Sequence, residues 1–412
     1  MTATRVASPA HLLPLRSTAG FADHLERHGP LPRIGARRDE LFDAVAASGL
    51  TGRGGAEFPT IRKLRAVAAG KRPIVVANGT EGEPASAKDK VLMASNPHLV
   101  IDGVLAAASL VGAEEALIAV GRADAASRRA LRMALGERSD AKHVRIEAVP
   151  DRFVAGEESA LVAWLNGREA KPTLKPPRPS ERGVRGRPTL VQNVETLANL
   201  ALVAHRGAEW FTEHETVLVT VRGAVRRAGV VEVRPGTPID EILERCGGAP
   251  EPLQAFLVGG YFGSWISADG NLDLPLATDA LAPLGASLGA RTLVAFPTSA
   301  CGVAETARVA AYLAGQSAGQ CGPCVFGLPA VAQCLDVIAR GGPAAHAALE
   351  RLPKLHAQIA RRGACAHPDG TVALVESALR VFADEIELHL MGRCSGHTEP
   401  LLPTTSATSD WR

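Results

Sequence analysis

The order of strand-like and helix-like segments divides this chain into three parts. From Asp39 onward, helical segments alternate with the short apolar runs PIVVANG, EALIAVG and HVRIEAV, and this alternation ends with a helix over 194–204. Helices that alternate with short Val/Ile-rich strands are typical of an α/β layered sheet. After Thr298 the sequence becomes rich in alanine and no further strand is predicted. One continuous core does not explain such a change, so we predict several domains.

Residues 216–248 contain two β-rich runs around a glycine turn, followed by PGTP and a predicted helix over 239–246. Strand, turn, strand and helix in this order fit a small β-grasp module. Four helical segments near 303–314, 325–339, 343–361 and 371–391 indicate a helical bundle. The predicted fold is therefore α/β with a Rossmann-like domain, a small β-grasp module and a C-terminal helical bundle. The predicted boundaries are an N-terminal arm at 1–38, the α/β domain at 39–207, the β-grasp domain at 214–296, the bundle at 298–394 and a disordered Pro/Ser/Thr-rich tail at 395–412.

Charge and composition exclude several classes of function. The 412 residues have a formal net charge of +2 and only 4% aromatic residues, which argues against a nucleic-acid-binding protein. No uninterrupted apolar run approaches the ~18–20 residues of a membrane helix, and the first residues lack the apolar stretch of a signal peptide. We therefore expect a cytoplasmic protein that is not integral to a membrane. The seven cysteines are then thiols or metal ligands rather than a disulfide framework.

Two motifs in the α/β domain indicate a ligand site. In GLTGRGGAEFPTIRKL, glycines 52, 54 and 55 allow close approach of the backbone to a ligand, and Lys63 adds a cation one turn into the following helix. In VVANGTEGEP, Asn78 ends a predicted strand and is followed by Glu81 and Glu83, at the sheet edge where such folds bind ligands. Taken alone, the glycine motif is equally compatible with a structural turn, and VVANGTEGEP would rather indicate a solvated acidic turn.

A third motif, AGEESAL, places Glu157 and Glu158 directly after Gly156 at the start of an apolar helix. Its simplest explanation is favourable placement of carboxylates near the positive end of a helix dipole. The presence of three Gly/Glu loops in one domain favours binding of a hydroxyl-rich ligand instead. A fourth segment, LKPPRP through GRPTLVQNVETL, is rich in basic residues, which suits an anionic ligand or a solvated loop. It adds Lys175, Gln192, Asn193 and Thr196.

The ordered motifs GRGGAEFPT, NGTEGEP, GEESAL, LKPP and NVETLAN resemble those of the flavin-bearing, NADH-oxidising subunit of NADH:quinone oxidoreductase and its relatives in soluble hydrogenases and formate dehydrogenases. NGTEGEP followed by KDKVLM is also similar to the C subunit of ion-translocating ferredoxin:NAD oxidoreductases. The resemblance covers residues from about 39 to 382 and implies an SLBB β-grasp domain and an iron–sulfur bundle. It implies that FMN is held by Gly52, Gly54, Lys63, Asn78, Glu81, Gly156, Glu157, Asn193 and Thr196. Gly55, in the same glycine motif, is also expected to bind the cofactor. It implies that NADH is contacted by Phe58, Glu83, Glu158 and Lys175.

The sequence departs from the family pattern around the expected dinucleotide site. Glu57 replaces the usual glycine before Phe-Pro, and we expect its bulk and charge to hinder the nicotinamide pocket. Aromatic positions of the family are occupied by Ala66 and Arg178, and Arg178 is suited to stacking on adenine or pairing with a 2′-phosphate. Thr80 and Phe153 replace a family aspartate and tyrosine. FMN is therefore better supported than NADH, and NADPH is an alternative donor.

The resemblance also implies a [4Fe–4S] cluster bound by C-x2-C-x2-C and one downstream cysteine. Here the loop keeps Cys321 and Cys324, the downstream match is Cys365, and Ala318 occupies the first loop position. Cys301, Cys334 and Cys394 are separated from the loop or from Cys365 by helical stretches of roughly 15–30 Å, whereas His367 lies closer. We expect three thiolates with an open or non-cysteine fourth position, or a degenerate loop without a cluster.

These observations predict an FMN-dependent NAD(P)H oxidoreductase subunit that passes electrons through an iron–sulfur cluster to a ferredoxin-like, quinone-linked or other redox partner. The alternative is a non-catalytic scaffold or electron-relay subunit that keeps the fold but has lost NADH oxidation. Flavin bleaching by NADH or NADPH distinguishes the two.

Overall fold

The structure is a computed structural model that describes residues 11–14, 20–404 and 410–412. The first unit is a four-stranded parallel sheet in the order β3-β2-β1-β4. Its strands are β1 (Ile74–Gly79), β2 (Ala116–Gly121), β3 (Val144–Val149) and β4 (Thr189–Asn193). Its helices are α1 (Phe21–His28), α2 (Arg38–Ala47), α3 (Thr60–Ala68), α4 (Lys88–Ser95), α5 (Pro97–Val111), α6 (Ala125–Gly136), α7 (Glu158–Leu165), α8 (Val194–Arg206) and α9 (Ala208–His214).

The apolar character of β1 and β2 follows from burial of both faces of the sheet. Val75 and Ala77 belong to the large core on one face, and Ile74 and Val76 belong to a smaller core on the other. A parallel sheet covered on both sides needs such continuous apolar strands rather than alternating ones. In the large core α5 and α8 pack closely at Gly103, where a Cβ would lie 1.9 Å from the carbonyl oxygen of Leu197.

The second unit is the predicted β-grasp domain. It is a five-stranded mixed sheet in the order β6-β5-β9-β7-β8, with its own buried core. β5 pairs antiparallel with β6 and parallel with β9, so the first hairpin lies at one side of the sheet. Its elements are β5 (Val217–Gly223), β6 (Gly229–Val233), α10 (Ile239–Arg245), β7 (Leu253–Val258), β8 (Ser264–Ser267), α11 (Thr278–Leu281) and β9 (Thr292–Pro297).

The third unit is a helical bundle, as predicted from the alanine-rich sequence. A π-helical turn (Pro323–Gly327) contains Cys324, the last cysteine of the loop, and leads directly into α13. The helix expected over 371–391 is divided at Phe382, whose ring is buried against Trp265 and Phe296 of the β-grasp sheet. The helices are α12 (Gly302–Gly315), α13 (Leu328–Arg340), α14 (Ala344–Ile359), α15 (His367–Val381) and α16 (Ala383–Leu390).

The C-terminal segment differs from the disordered tail that its composition predicts. Among the described residues of this segment, Leu402 is buried in the bundle core and the main chain of His397 forms a bridge with Ala300. The Trp411 ring lies 4.2 Å from the guanidinium carbon of Arg152. These residues pack against the helical bundle and the α/β domain. A prediction from composition misses this order, because it does not include tertiary contacts.

One continuous helical stretch among the described residues, Pro323–Arg340, is long and apolar enough to cross a membrane, with a mean hydropathy of 1.3. The bent pair formed by α4 and α5 passes the same test only if it is taken as one span. The α5 residues are almost all buried in the α/β core, and α13 buries one face in the bundle, so both have an ordinary structural explanation.

Candidate functional site

A cavity of about 430 Å³, here called the central cavity, lies where the three units meet. The carboxyl ends of β1 and β4 form one wall, because Asn78 and Asn193 are paired in register at the ends of these strands. Gly259, Phe262 and Gly289 of the β-grasp domain and Ala366 of the bundle form the other walls. The predicted ligand residues that line it are Gly54, Gly55, Asn78, Glu81, Glu83, Gly156 and Asn193.

Two hydrogen bonds fix the conformation of the glycine loop that follows α2. The Gly52 N–H donates to the Phe58 carbonyl at 2.9 Å, and the Arg53 N–H donates to Thr196 Oγ1 at 2.8 Å. Gly52 and Thr196 therefore shape the loop instead of lining the cavity, although the resemblance places both at FMN. A Cβ at Gly54 would meet only Asn193 within 4 Å, so this glycine keeps space open at the cavity wall.

The turn before α7 is held against the end of β1. Asn78 Nδ2 donates to the Gly156 carbonyl at 2.8 Å, and the Thr80 hydroxyl donates to Asn78 Oδ1 at 2.7 Å. A Cβ at Gly156 would lie 2.3 Å from Thr80 Oγ1, so only glycine allows this approach. Such a glycine-lined wall, together with a volume suited to a small cofactor, fits the isoalloxazine and ribityl parts of FMN.

Glu81 has a local structural role in addition to its place in the cavity wall. Its carboxylate accepts hydrogen bonds from the Asp89 N–H at 3.1 Å and the Lys90 N–H at 3.0 Å, and thereby caps α4. The Ser86 hydroxyl donates to the same carboxylate at 2.5 Å. Its backbone has a φ of 34°. The sequence predicts that this carboxylate binds ligand hydroxyls. In the structure, hydrogen bonds from within the protein already occupy most of its lone pairs.

Glu83 lies at the border with the β-grasp domain. It accepts a hydrogen bond from the Tyr261 N–H at 3.0 Å and is packed against Gly260. Desolvation by these surroundings raises the pKa of Glu83 to about 7, although the hydrogen bonds from the Tyr261 and Ala85 N–H groups oppose the shift. The resemblance assigns Glu83 to NADH, whereas the structure places it in the central cavity.

A buried charged cluster beside the central cavity was not predicted from the sequence. Lys88 Nζ lies 2.8 Å from Asp89 Oδ1 and 2.7 Å from Glu195 Oε2, and Asn193 Nδ2 donates to Asp89 Oδ2 at 2.6 Å. Burial raises the pKa of Asp89 to about 6 despite Lys88. Burial also opposes the ionisation of Glu195, but Lys88, Arg291 and Arg53 hold the pKa of Glu195 below its usual range. Because burial of these side chains is a tertiary property, KDKVLM alone gives no signal for it.

A second cavity of about 400 Å³ shares Ala56 with the central cavity. It contains three of the four predicted NADH residues, Phe58, Glu158 and Lys175. Lys63 also lines it, with Nζ 3.5 Å from Glu158 Oε2 and 3.3 Å from the Val191 carbonyl oxygen, although the resemblance assigns Lys63 to FMN. Its charged lining residues are Arg62, Lys63, Lys175 and Arg178 against the single acid Glu158.

The adjacent glutamates Glu157 and Glu158 have different roles in the structure. Glu157 caps α7, since its carboxylate accepts hydrogen bonds from the Ser159 N–H at 2.8 Å and the Ala160 N–H at 3.1 Å. Its other oxygen lies 2.8 Å from Lys175 Nζ. Glu157 lines neither cavity, whereas Glu158 faces the second one. Of the two explanations considered for this motif, stabilisation of a helix start and ligand binding, the first accounts for the position of Glu157.

Glu57 does not obstruct the dinucleotide site, which corrects the expectation from its sequence position. It has a φ of 45°, and its carboxylate lies 2.8 Å from Arg291 Nη2 and accepts a hydrogen bond from Thr278. Both partners belong to the β-grasp domain, so the side chain points away from the second cavity. The positive φ of Glu57 directs its side chain, and sequence alone does not reveal this direction.

The three cysteines predicted as cluster ligands converge at one corner of the bundle. Burial raises the pKa of the Cys324 thiol to about 12, with smaller contributions from the neighbouring Cys321 and Cys365. Cys365 directly precedes Ala366, which lines the central cavity. Three soft sulfur donors close together suit an iron–sulfur cluster. Through Ala366, this corner of the bundle lies beside the central cavity.

The other candidates for the fourth ligand are engaged elsewhere. His367 Nε2 donates to the Leu313 carbonyl at 2.9 Å, and burial lowers the pKa of His367 to about 4. Cys301 caps the start of α12, at the end of this helix opposite to the cysteine loop. Cys334 is buried on α13 in the bundle core. The Ser317 side chain, next to Ala318, lies close to Cys324 and opposes the rise of the Cys324 pKa.

Comparisons with known proteins agree with this arrangement. Family models match for the Nuo51 FMN-binding domain at 45–202, the SLBB domain at 218–260 and the NADH-ubiquinone oxidoreductase-F iron-sulfur binding region at 304–389. The chain is 32% identical over 384 residues to the second NADH-quinone oxidoreductase F subunit of Rhizobium meliloti (strain 1021), covering 87% of this chain and 91% of that protein. It belongs to the family of NADH-quinone oxidoreductase F subunits.

Further relatives support the same assignment. The NADH-quinone oxidoreductase F subunit of Escherichia coli (strain K12) is 31% identical over 380 residues, which cover 86% of this chain and 85% of that protein. The crystal structure of an NAD+-reducing [NiFe]-hydrogenase in the H2-reduced state aligns with a TM-score of 0.79 and 28% identity. The alignment covers 87% of this chain and 64% of the hydrogenase chain, so this chain spans less than two thirds of that protein.

Membership of this family confirms the predicted resemblance, fold class and cofactors. The FMN-binding and iron–sulfur-binding domains support FMN and an iron–sulfur cluster, and NADH is consistent with them as substrate. The F subunits are components of NADH oxidoreductase complexes, which implies redox subunits as partners.

Proposed function

We propose that this chain is an FMN-dependent NAD(P)H oxidoreductase subunit that delivers electrons to a ferredoxin-like or quinone-linked partner. The observation that carries this proposal is the contiguity of three sites. The second cavity shares Ala56 with the central cavity, and the central cavity is lined by Ala366, the residue after Cys365. FMN, when bound, supplies acceptance of a hydride and release of single electrons. The chain supplies the positions of donor, cofactor and cluster.

The central cavity is proposed to hold FMN. Gly54 and Gly156 keep its walls close to the backbone, and Asn78 and Asn193 offer amide groups at the strand ends. Arg53 and Lys88 also line the cavity, but each is already paired, Arg53 with Glu215 and Lys88 with Asp89 and Glu195. The sugar-binding role predicted for Glu81 is reduced, since this carboxylate also caps α4.

The second cavity is proposed to bind the dinucleotide. Four cationic side chains and one carboxylate line it, a balance that favours a ligand with a pyrophosphate. Arg178 is exposed, with its N–H donating to Glu181 at 3.1 Å and its guanidinium available to the cavity. Since Glu57 points elsewhere, a preference for NADPH rests on Arg178 alone.

The cluster is proposed to be ligated by Cys321, Cys324 and Cys365 and to face an electron-accepting partner. The residues after Cys324 are exposed and apolar: 44% of Val325 and 75% of Phe326 is accessible. Exposed apolar side chains next to a redox centre suit contact with another protein of the complex. A cytoplasmic location without membrane insertion remains part of this proposal.

Stopped-flow reduction of the flavin under anaerobic conditions tests the dinucleotide site. We expect NADH or NADPH to bleach the flavin of the wild-type protein. In Lys175→Ala, bleaching at a subsaturating donor concentration should be at least tenfold slower. Lys171→Ala is the matched control, because Lys171 lies in the same segment but pairs with Glu169 at 2.9 Å and lines neither cavity. Equal slowing in both variants would contradict the assignment of this cavity.

A comparison of donors tests the role of Arg178. Arg178→Ala should lower kcat/KM for NADPH by at least tenfold and leave that for NADH within about threefold, since only NADPH has a 2′-phosphate. Arg182→Ala serves as control, because Arg182 follows in the same loop and is absent from the second cavity. Equal losses with both donors in Arg178→Ala would contradict a 2′-phosphate contact.

The second candidate function is a non-catalytic scaffold, and Ala318 is the observation that favours it. A cluster loop with two of three thiols is compatible with lost electron transfer. Flavin that is bleached by dithionite but by neither NADH nor NADPH would support the scaffold.

A further inference from the structure

We propose a second metal site, separate from the iron–sulfur region, in which Cys301, Glu385, His389 and Cys394 bind one zinc-like divalent cation. The four ligand atoms all lie within 4.8 Å of one another. They come from three places in the chain: the start of α12, one face of α16 and the segment after it. Two thiols, one imidazole and one carboxylate form a donor set that suits a tetrahedral zinc ion.

The spacing of the ligand atoms fits such an ion. Cys301 Sγ lies 3.3 Å from His389 Nε2, and His389 Nε2 lies 3.1 Å from Glu385 Oε1. In a tetrahedral site, zinc–sulfur distances of about 2.3 Å and zinc–nitrogen or zinc–oxygen distances of about 2.0–2.2 Å give ligand-to-ligand distances of roughly 3.3–3.8 Å. The observed separations lie close to that range, so an ion requires only small side-chain adjustments.

The backbone and neighbouring groups hold these side chains in place. Glu385 and His389 are four residues apart on α16 and therefore project from the same face. Glu385 Oε1 accepts a hydrogen bond from the Ser395 N–H at 3.1 Å, and Cys301 Sγ accepts one from the Ala304 N–H at 3.3 Å. Hydrogen bonds from surrounding groups orient the ligands in metal sites in the same way.

The position of the site indicates a structural role. The Cys301 N–H donates to the His397 carbonyl at 2.9 Å, and the His397 N–H donates to the Ser299 carbonyl at 2.8 Å. The approach is close, since a Cβ at Gly396 would lie 2.6 Å from the carbonyl carbon of Ala300. An ion held by Cys301 and by residues 385–394 would therefore fasten the C-terminal segment across the start of α12. Zinc is redox-inert and would not take part in electron transfer.

The site is distinct from the cluster site. Cys301 caps the first turn of α12, whereas Cys321 follows the last turn, and the 14 residues of this helix span about 21 Å. Loss of one site should therefore leave the other occupied.

Metal analysis of the full-length holoprotein tests the proposal. We expect about one zinc per chain by mass spectrometry of metals, lost in Cys394→Ser and His389→Ala while FMN and iron are unchanged. Cys394 is exposed, so its replacement does not disturb the core if a change at buried Cys301 prevents folding. Cys334→Ser is the matched control, because this buried bundle cysteine lies outside the four-residue site. Cys321→Ser should lose iron and keep zinc.

Cobalt substitution provides a second readout. After chelation and refilling with Co²⁺, wild type and Cys334→Ser should show thiolate-to-cobalt charge transfer and the visible bands of tetrahedral cobalt, and Cys394→Ser should not. Three results would overturn the proposal: no zinc or cobalt binding after refilling, zinc content unchanged in Cys394→Ser, or zinc lost only with Cys321→Ser. An intact mass lower by two hydrogens, assigned by peptide mapping to a Cys301–Cys394 disulfide in the isolated holoprotein, would also overturn it.

Discussion

At the residue scale, neighbouring side chains of one motif serve different purposes. Glu157 caps α7, whereas Glu158 faces the second cavity together with Lys63. Gly156 of the motif AGEESAL lies in the wall of the central cavity. The direction of each carboxylate was not predictable, because it depends on which partner, a helix N–H group or a distant lysine, lies within reach in the folded chain.

Glu157 and Asn193 both cap helices, but only Asn193 lines the central cavity, and this difference leads to a prediction for two variants. Asn193→Ala should lower FMN affinity by at least tenfold, because Asn193 lines the central cavity and also holds Asp89. Glu157→Ala should lower the free energy of unfolding by about 1 kcal/mol through loss of a helix cap, with FMN affinity within about threefold of wild type. Fluorescence titration of FMN and urea unfolding of each variant test this. Full FMN affinity in Asn193→Ala would contradict the cavity assignment.

The raised pKa of Glu83 leads to a pH-dependent prediction. The folded-state pKa is about 7, compared with the ordinary value of 4.5, so the folded protein keeps a proton that the unfolded chain releases between these values. Stability contributed by the protonated carboxyl is therefore present below pH 4.5 and is lost as pH rises toward 7. Glu83→Gln should remove this loss, which is on the order of 2 kcal/mol after allowing for partial exposure to the cavity.

Unfolding midpoints at pH 5 and pH 8 measure the effect of Glu83. The unfolding midpoint of Glu83→Gln, relative to that of wild type, should be higher at pH 8 than at pH 5. Glu209→Gln is the control, since Glu209 is exposed on α9. A difference that does not change with pH would show that Glu83 titrates normally.

At the element scale, the helices and strands with strong periodicity were predictable, and the short or tertiary-determined ones were not. β1 and β2 lie where the apolar runs indicated them, because burial of both faces demands such runs. By contrast, α4 contains buried Lys88 and Asp89, which a sequence pattern does not distinguish from a solvated helix. The division at Phe382 similarly depends on a ring that packs into another domain.

The cluster loop allows a test of the missing thiolate. Ala318→Cys should add the fourth ligand, so that a labile cluster prone to the [3Fe–4S] form becomes a more stable [4Fe–4S] cluster. Electron paramagnetic resonance and Mössbauer spectra of anaerobic protein measure the cluster type. Ala314→Cys is the matched control, because Ala314 lies in the last turn of α12, outside the loop motif.

The iron content decides the outcome for Ala318→Cys. Four iron atoms per chain with increased resistance to oxygen support the assignment of Cys321, Cys324 and Cys365. An unchanged spectrum in Ala318→Cys, together with an unchanged spectrum in Cys365→Ser, would contradict it.

At the scale of the whole molecule, the contact of three units creates the proposed electron path. Glu83 reaches Tyr261, Glu57 reaches Arg291, and Ala366 of the bundle closes the central cavity. The sequence motifs predicted each unit, because each unit has its own pattern. Their mutual arrangement was not predictable from those patterns, since the contacts join residues about 180 to 230 positions apart.

The most direct test of the central claim is an anaerobic titration of the holoprotein with NADH and, separately, NADPH, with flavin absorbance and the paramagnetic signal of the cluster followed together. We predict that at least one donor bleaches the flavin and that a reduced-cluster signal follows in wild type. In Cys365→Ser the flavin should still bleach, and the cluster signal should be absent. Flavin that neither donor bleaches, in protein that contains FMN and iron and is bleached by dithionite, would contradict the account.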